Sequence, residues 1–223
     1  MLFLCLPLLS LSQGQIGIKG GYIHYWFTVP EDGIQYDYNY SHSAYSINIS
    51  LKQRTSHTFN QGLEIVYTNR SFAVKSSDQS PGGSETVDYS YSIGNIYLQF
   101  RPQFSFGSRI KFFVYPGFYF GTLLNSSIQG TKSYWHIGET KTNTINGSAN
   151  DYYPNFEFGI LFGAGIEVPV YKNLSIVYEN NFSLNLLPVA NAWGSEKIKM
   201  LNLNFEIGLA YTFTRKTSKS NTK

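Results

Sequence analysis

The chain has 223 residues, a length at which an all-β barrel is usually one domain. Only 14% of residues are charged and 17% are aromatic, with 18 Tyr, 17 Phe and 20 Gly. That mix excludes a disordered chain and, because Ala, Leu, Glu and Lys do not dominate, a helical bundle. The net charge of +3 arises in the last nine positions, where Arg215, Lys216, Lys219 and Lys223 lie; the other 13 basic residues face 14 acids, which leaves no basic surface for nucleic acid.

Met1 to Ser12 is apolar up to Ser10 and then carries small residues, resembling the apolar stretch of a secretory signal. Residues 1–14 are therefore expected to be a signal peptide, a short N-terminal strand being the other reading. The single cysteine, Cys5, falls inside it, so the mature chain would carry no disulfide and no thiol chemistry. Beyond it no apolar run approaches the ~18 residues of a spanning helix.

Strand periodicity then takes over, since successive side chains of a strand point to opposite faces. Ile16, Ile18 and Tyr22 alternate with Gly17, Lys19 and Gly21. Tyr45, Ile47, Ile49 and Leu51 alternate with Ser46, Asn48 and Ser50, and Leu63, Ile65 and Tyr67 with Glu64, Val66 and Thr68. Ile96, Leu98, Phe100, Phe104 and Phe106 oppose a row that includes Asn95, Tyr97, Gln99 and Arg101. Ile110, Phe112, Val114, Phe118 and Phe120 oppose Lys111, Phe113, Tyr115, Gly117 and Gly121. The segments from Asn155 to Val168 and from Leu174 to Leu186 repeat the pattern, with Glu157, Glu167 and Glu179 on their polar rows. The last, Leu201 to Phe213, is the clearest, with Asn202, Asn204 and Glu206 between apolar residues. That makes eight strands.

The connections alternate in length. Long polar stretches at Pro30–His42, Lys75–Asp88, Asn125–Tyr153 and Pro188–Lys197 are expected as loops at one end. Short turns near Arg54–Asn60, Gly107–Ser108 and Tyr171–Asn173 gather at the other. Closure of eight strands leaves no unpaired edge. The expected fold is an all-β, eight-stranded antiparallel up-and-down transmembrane β-barrel over residues 15–213, with a basic tail at 214–223.

Alternation alone leaves open which face points outward, and a soluble lipocalin-like small-molecule carrier is the alternative. Three features favour lipid outside. The polar rows mix Gly, Ser and Asn with charges of both signs. The apolar rows are rich in Phe and Leu, with Tyr22, Tyr45, Tyr67, Tyr178 and Tyr211 near strand ends. Those rows run about 9–13 residues, enough to cross ~25 Å of hydrocarbon when tilted.

Ile16-Gly17-Ile18-Lys19-Gly20-Gly21, Gly62 to Tyr67, Ile96 to Pro102, Gly159 to Glu167 and the terminal Gly208 to Phe213 resemble, in that order, the strands of PorT-like outer-membrane β-barrel proteins, a porin family. The resemblance implies the eight-stranded fold and the outer membrane of a Gram-negative cell envelope with periplasmic termini. It implies little about activity, since the family is functionally mixed and some of its members support type IX protein secretion. The expectation is a scaffold or contact role, with support of type IX secretion alongside other envelope proteins as its sharper form. Outer-membrane lipid and lipopolysaccharide are the expected surroundings of a monomer.

The bore of such a barrel is just wide enough for side chains to fill, and buried charges must pair. Lys19, Glu64, Arg101, Lys111, Glu157, Glu167, Glu179 and Glu206 are accordingly expected as an interior polar network. No catalytic, cofactor-binding or metal residue is expected. An outer-membrane lipid A-modifying enzyme is the competing class, with His42-Ser43 as its only local echo. Glu31, Asp32 and Asp37 lack the spacing of a calcium loop. Aromatic residues beside polar groups in the long loops are the expected contact surface: Tyr36, Tyr38, Tyr40, Tyr134, Trp135 and Trp193.

Overall fold

Period-two alternation becomes nine antiparallel strands in the computed structural model, which describes residues 13–28, 42–56, 58–80, 83–136, 138–149, 153–187 and 199–214. They are β1 (Gln13–Thr28), β2 (His42–Arg54), β3 (Phe59–Ser80), β4 (Gly83–Phe106), β5 (Lys111–His136), β6 (Glu139–Gly147), β7 (Phe156–Tyr171), β8 (Leu174–Asn185) and β9 (Lys199–Thr214). Eight of them close into a barrel in which β1 pairs with both β2 and β9, β4 with β5, and β5 with β7. The ninth, β6, pairs with β5 and stands outside the ring. Among the described residues no helix is long and apolar enough to cross a membrane; the strands are what spans.

Side chains sort as the alternation demands. Ile207 is 62% exposed while its neighbour Glu206 is 2% exposed, and the same contrast separates Ile18 from Lys19. The outer wall is a continuous apolar belt that includes Ile49, Ile65, Leu98, Phe120, Ile160 and Phe162. Apolar outside and charged inside is the inverse of a lipocalin-like carrier. Exposed on this scale in water, such a surface would aggregate; against hydrocarbon it is solvated.

The short turns Thr55–Thr58, Gly107–Ile110 and Lys172–Asn173 and both ends of the barrel chain lie at one end. At the other end two of the stretches expected as loops are strands. Lys75–Asp88 is a hairpin in which β3 and β4 stay paired up to Ser80↔Gly83, and Asn125–Tyr153 contains the top of β5 and all of β6. Together these form a four-stranded sheet that rises past the barrel. Pro30–His42 and Pro188–Lys197 lie almost wholly outside the described residues, as do residues 1–12 of the expected signal peptide and most of the basic tail.

A bulge marks where the barrel wall becomes the raised sheet. Gly94 pairs with Asn125 but Asn95 pairs with Leu123, so Leu124 is an extra residue on β5. One extra residue reverses which side chains face outward. Below the bulge β5 turns Phe112, Phe118 and Phe120 outward; above it, Asn125, Gln129, Thr131 and Trp135. The inner side of the raised sheet is apolar where it lies nearest the barrel. Val87, Tyr89, Tyr91, Ile93 and Ile128 bury against Ile23, Tyr25, Met200 and Tyr153 and close the lumen from above.

Candidate functional site

The lumen holds the only dense chemistry among the described residues, and it is arranged in two ionic clusters. In the lower one, Lys19 from β1 stands among three carboxylates. Its Nζ is 2.7 Å from Glu64 on β3, 2.7 Å from Glu179 on β8 and 3.0 Å from Glu206 on β9. Arg101 on β4 pairs with Glu64 and, at 2.7 Å, with Glu179, and its guanidinium lies 3.7 Å from the ring centre of Tyr115. The Tyr115 hydroxyl donates to Glu179 at 3.0 Å. Oxygens of the three acids approach within 4.8 Å of one another, a spacing that would surround a metal ion. The Lys19 ammonium touches all three and takes that position itself.

The upper cluster is built differently. One acid, Glu157 at the start of β7, accepts from Asn95 (2.8 Å), Tyr97 (2.9 Å), Tyr153 (2.6 Å) and Asn185 (2.7 Å), and faces the Arg70 guanidinium at 3.4 Å. Arg70 in turn donates to the Tyr153 hydroxyl at 2.8 Å. Tyr153 belongs to no strand; it drops from the β6–β7 connection into the bore.

Of the residues expected inside, Lys19, Glu64, Arg101, Glu157, Glu167, Glu179 and Glu206 are buried in the lumen. Lys111 is not; its side chain is 42% exposed at the short-turn mouth, 3.6 Å from Glu167, which also accepts from Gln15 at 3.0 Å. It is the first residue of β5, and a lysine at a rim reaches water. Sequence reasoning passed over Arg70, Lys52, Asn95, Asn185 and Tyr153 as network members. Arg70 and Lys52 continue the inward rows Glu64–Val66–Thr68 and Ser46–Asn48–Ser50, so the signal was present. With them the lumen sets five acids against the bases Lys19, Lys52, Arg70 and Arg101, and Arg54 and Lys111 line the short-turn mouth.

Aromatic rings fill what the charges leave. Tyr97, Tyr115 and Tyr119 lie across from Gly121, Gly163 and Gly159 in register, and a β-carbon at Gly163 or Gly159 would run into the facing ring. The opposite wall, from β1, β2, β8 and β9, is lined by small polar residues such as Ser46, Asn48, Asn181 and Asn204. Cavities of about 30 Å³ beside Arg70 and 50 Å³ at the short-turn mouth remain. Each is room for a few waters, not a solute path.

The expected contact residues Tyr134 and Trp135 are exposed at the top of β5; Tyr36, Tyr38, Tyr40 and Trp193 lie outside the described residues. The histidines are spread over the molecule. His24 packs edge-on to Trp26 at 4.4 Å on β1, His42 opens β2 and His136 ends β5.

An apolar outer belt, a lumen plugged by paired charges and closed antiparallel strands define a transmembrane β-barrel. The chain belongs to the outer membrane protein beta-barrel domain family, which it matches over residues 11–191, and with that family goes an outer-membrane location. Among solved structures it is similar to Neisserial surface protein A (12% identity, 90% of this chain and 97% of that one, TM-score 0.49). It is also similar to OprG from Pseudomonas aeruginosa (13%, 92% and 98%, 0.43) and to Ail, the attachment invasion locus protein of Yersinia pestis (13%, 92% and 100%, 0.38). No curated protein matches the chain in sequence.

Proposed function

We propose that the protein is a closed, non-catalytic outer-membrane scaffold of a Gram-negative cell, with periplasmic termini, that acts by contact through its raised sheet. The observation that carries this is the outer edge of β6. Glu139–Gly147 pairs with β5 without interruption and, among the described residues, with no strand on its other side. It contains no proline and no bulge, and Thr140, Thr142, Thr144 and Ile145 suit a strand. The turn pairs His136 with Glu139, so by antiparallel alternation the backbone groups of Thr140, Thr142 and Thr144 point away from β5. An extended segment of a partner can add there as a further strand. The filled lumen supports the same reading, since it leaves no route for flux.

The PorT-like order of strand motifs supports a partner among the envelope proteins of type IX secretion. The test is Thr142→Pro, which removes an outward N–H and leaves the β5 ladder whole. The parent should co-purify with an envelope protein that the variant releases, and neither should conduct in planar bilayers. Equal recovery of partners by both, or steady single-channel current from the parent, would overturn the contact reading.

A further inference from the structure

The two faces of the raised sheet differ in what covers them. The inner face is occupied in its lower part, where Val87, Tyr89, Tyr91, Ile93 and Ile128 are buried over the lumen. The outer face continues the lipid-facing wall without a break, because β4 and β5 run unbroken through both. On these two strands the apolar row of that wall ends at Ile96 and Leu124, which sets the upper limit of the hydrocarbon belt. What lies directly above the hydrocarbon in the same leaflet must cover the rest.

The chemistry of the outer face narrows what that is. Above the bulge it presents hydroxyls and amides, among them Gln129, Thr131, Ser133, Thr142 and Thr144, with the indole of Trp135 46% exposed at the top. The part of this face formed by β5 and β6 carries no cation. By register Lys75 and Asp88 share the outer face but lie opposite each other on β3 and β4, with no net charge between them. Lys132 and Lys141 fall on the inner side, where Lys132 pairs with Glu85 at 2.7 Å. Phosphorylated groups would call for cations. A neutral saccharide calls for hydroxyls that both donate and accept, and for an aromatic face against its C–H bonds. Ser133 and Thr142 set two hydroxyls 3.0 Å apart across adjacent strands, a spacing like that of neighbouring hydroxyls on a sugar ring. At ~3.3 Å per residue, the rise from Leu124 to Trp135 carries the indole about 35 Å along the strand, beyond the phosphate layer at the lipid surface.

We propose that the outer face of the raised sheet binds the neutral saccharide portion of lipopolysaccharide in the surrounding leaflet, with Trp135 stacking on a sugar ring and Thr131, Ser133 and Thr142 hydrogen-bonding to it. The assignment rests on the proposed orientation, with the raised sheet outside the cell. The test uses the full chain with Trp26→Phe and Trp193→Phe, so that Trp135 alone emits, in nanodiscs containing either lipopolysaccharide with its full polysaccharide or lipid A alone. The full polysaccharide should shift Trp135 emission to the blue and shield it from acrylamide; lipid A should not. Thr131→Val and Thr142→Val keep shape and strand propensity, and each should weaken the preference about fivefold, the equivalent of one hydrogen bond of ~1 kcal/mol. Identical quenching in the two lipids, or valine variants that bind as the parent does, would overturn the proposal. Orientation is read separately. Asn143→Cys, in a Cys5→Ser background, should react on intact cells with a membrane-impermeant maleimide. Failure to label sinks the orientation, and labelling with indifferent quenching sinks the saccharide site alone.

Discussion

The two ionic clusters of the lumen solve one problem in opposite ways. Around Glu157 a single negative charge is met by one guanidinium and four neutral donors. Around Lys19 three carboxylates share two cations, and only Glu179 has a tyrosine as well. The upper cluster concentrates its dependence on one side chain. The lower one distributes it, so that Glu64 and Glu179 keep a partner when either cation is lost, and Glu206 alone depends on Lys19. Fixed dipoles make a charge irreplaceable, whereas shared charges make it redundant.

Breaking that contrast begins with Glu157→Gln. It leaves Arg70 without a counter-ion and turns an amide N–H toward groups that themselves donate, so folding into lipid vesicles should lose about 3–5 kcal/mol in urea titrations. Ile160→Arg touches neither cluster and puts a charge on the lipid belt; it should cost about 2–4 kcal/mol near the midplane and calibrates the scale. Lys19→Met strands Glu206, but Arg101 still holds Glu64 and Glu179, so the loss should be about 1–3 kcal/mol. Glu206→Gln removes the acid that faces Glu179 in register and relieves that repulsion; it should move the midpoint by less than ~1 kcal/mol. A larger loss from Glu206→Gln than from Glu157→Gln would reverse the comparison. The smallest effect lies outside the membrane. The hydrogen bond from Lys132 to Glu85 holds that ammonium above the ordinary lysine range. Its contribution is complete below the free lysine value of 10.5 and disappears as pH climbs through the raised one. The pair is partly exposed and screened, so NMR titration should show only that the Lys132 ε-carbon titrates at lower pH in Glu85→Gln.

Alternation between apolar and polar rows was enough to read the barrel, because one wall of each spanning strand meets lipid and the other meets buried charge. The same contrast carried Lys19, Glu64, Arg101, Glu157, Glu179 and Glu206 to one side before any distance was known. It weakened above the belt, where Gln129, Thr131 and Ser133 face outward and the neighbouring Lys132 and Tyr134 are polar too. There strands look like loops, although Val87, Tyr89, Tyr91 and Ile93 still alternate with Asp88, Ser90 and Ser92. Arg70 was within reach of that rule, two residues past Thr68. Tyr153 was not. It enters the lumen from a connection with no period, so only tertiary packing places it beside Glu157.

The pairing of β1 with β9 runs over all 16 residues of β1, from Gln13↔Thr214 to Thr28↔Lys199. The ends of the ring thus meet at a seam as long as any strand of the barrel's smaller half, made by residues nearly the whole chain apart. Loop closure makes such contacts the slowest to form, so β1 must wait, one edge open, until β9 arrives. A circularly permuted chain, joined across Gln13 and Thr214 and reopened within the Gly107–Ile110 turn, would keep every pairing of the ring. It would move the late-closing seam to β4 and β5, where the raised sheet extends it to His136, and exchange the final zip for a longer one.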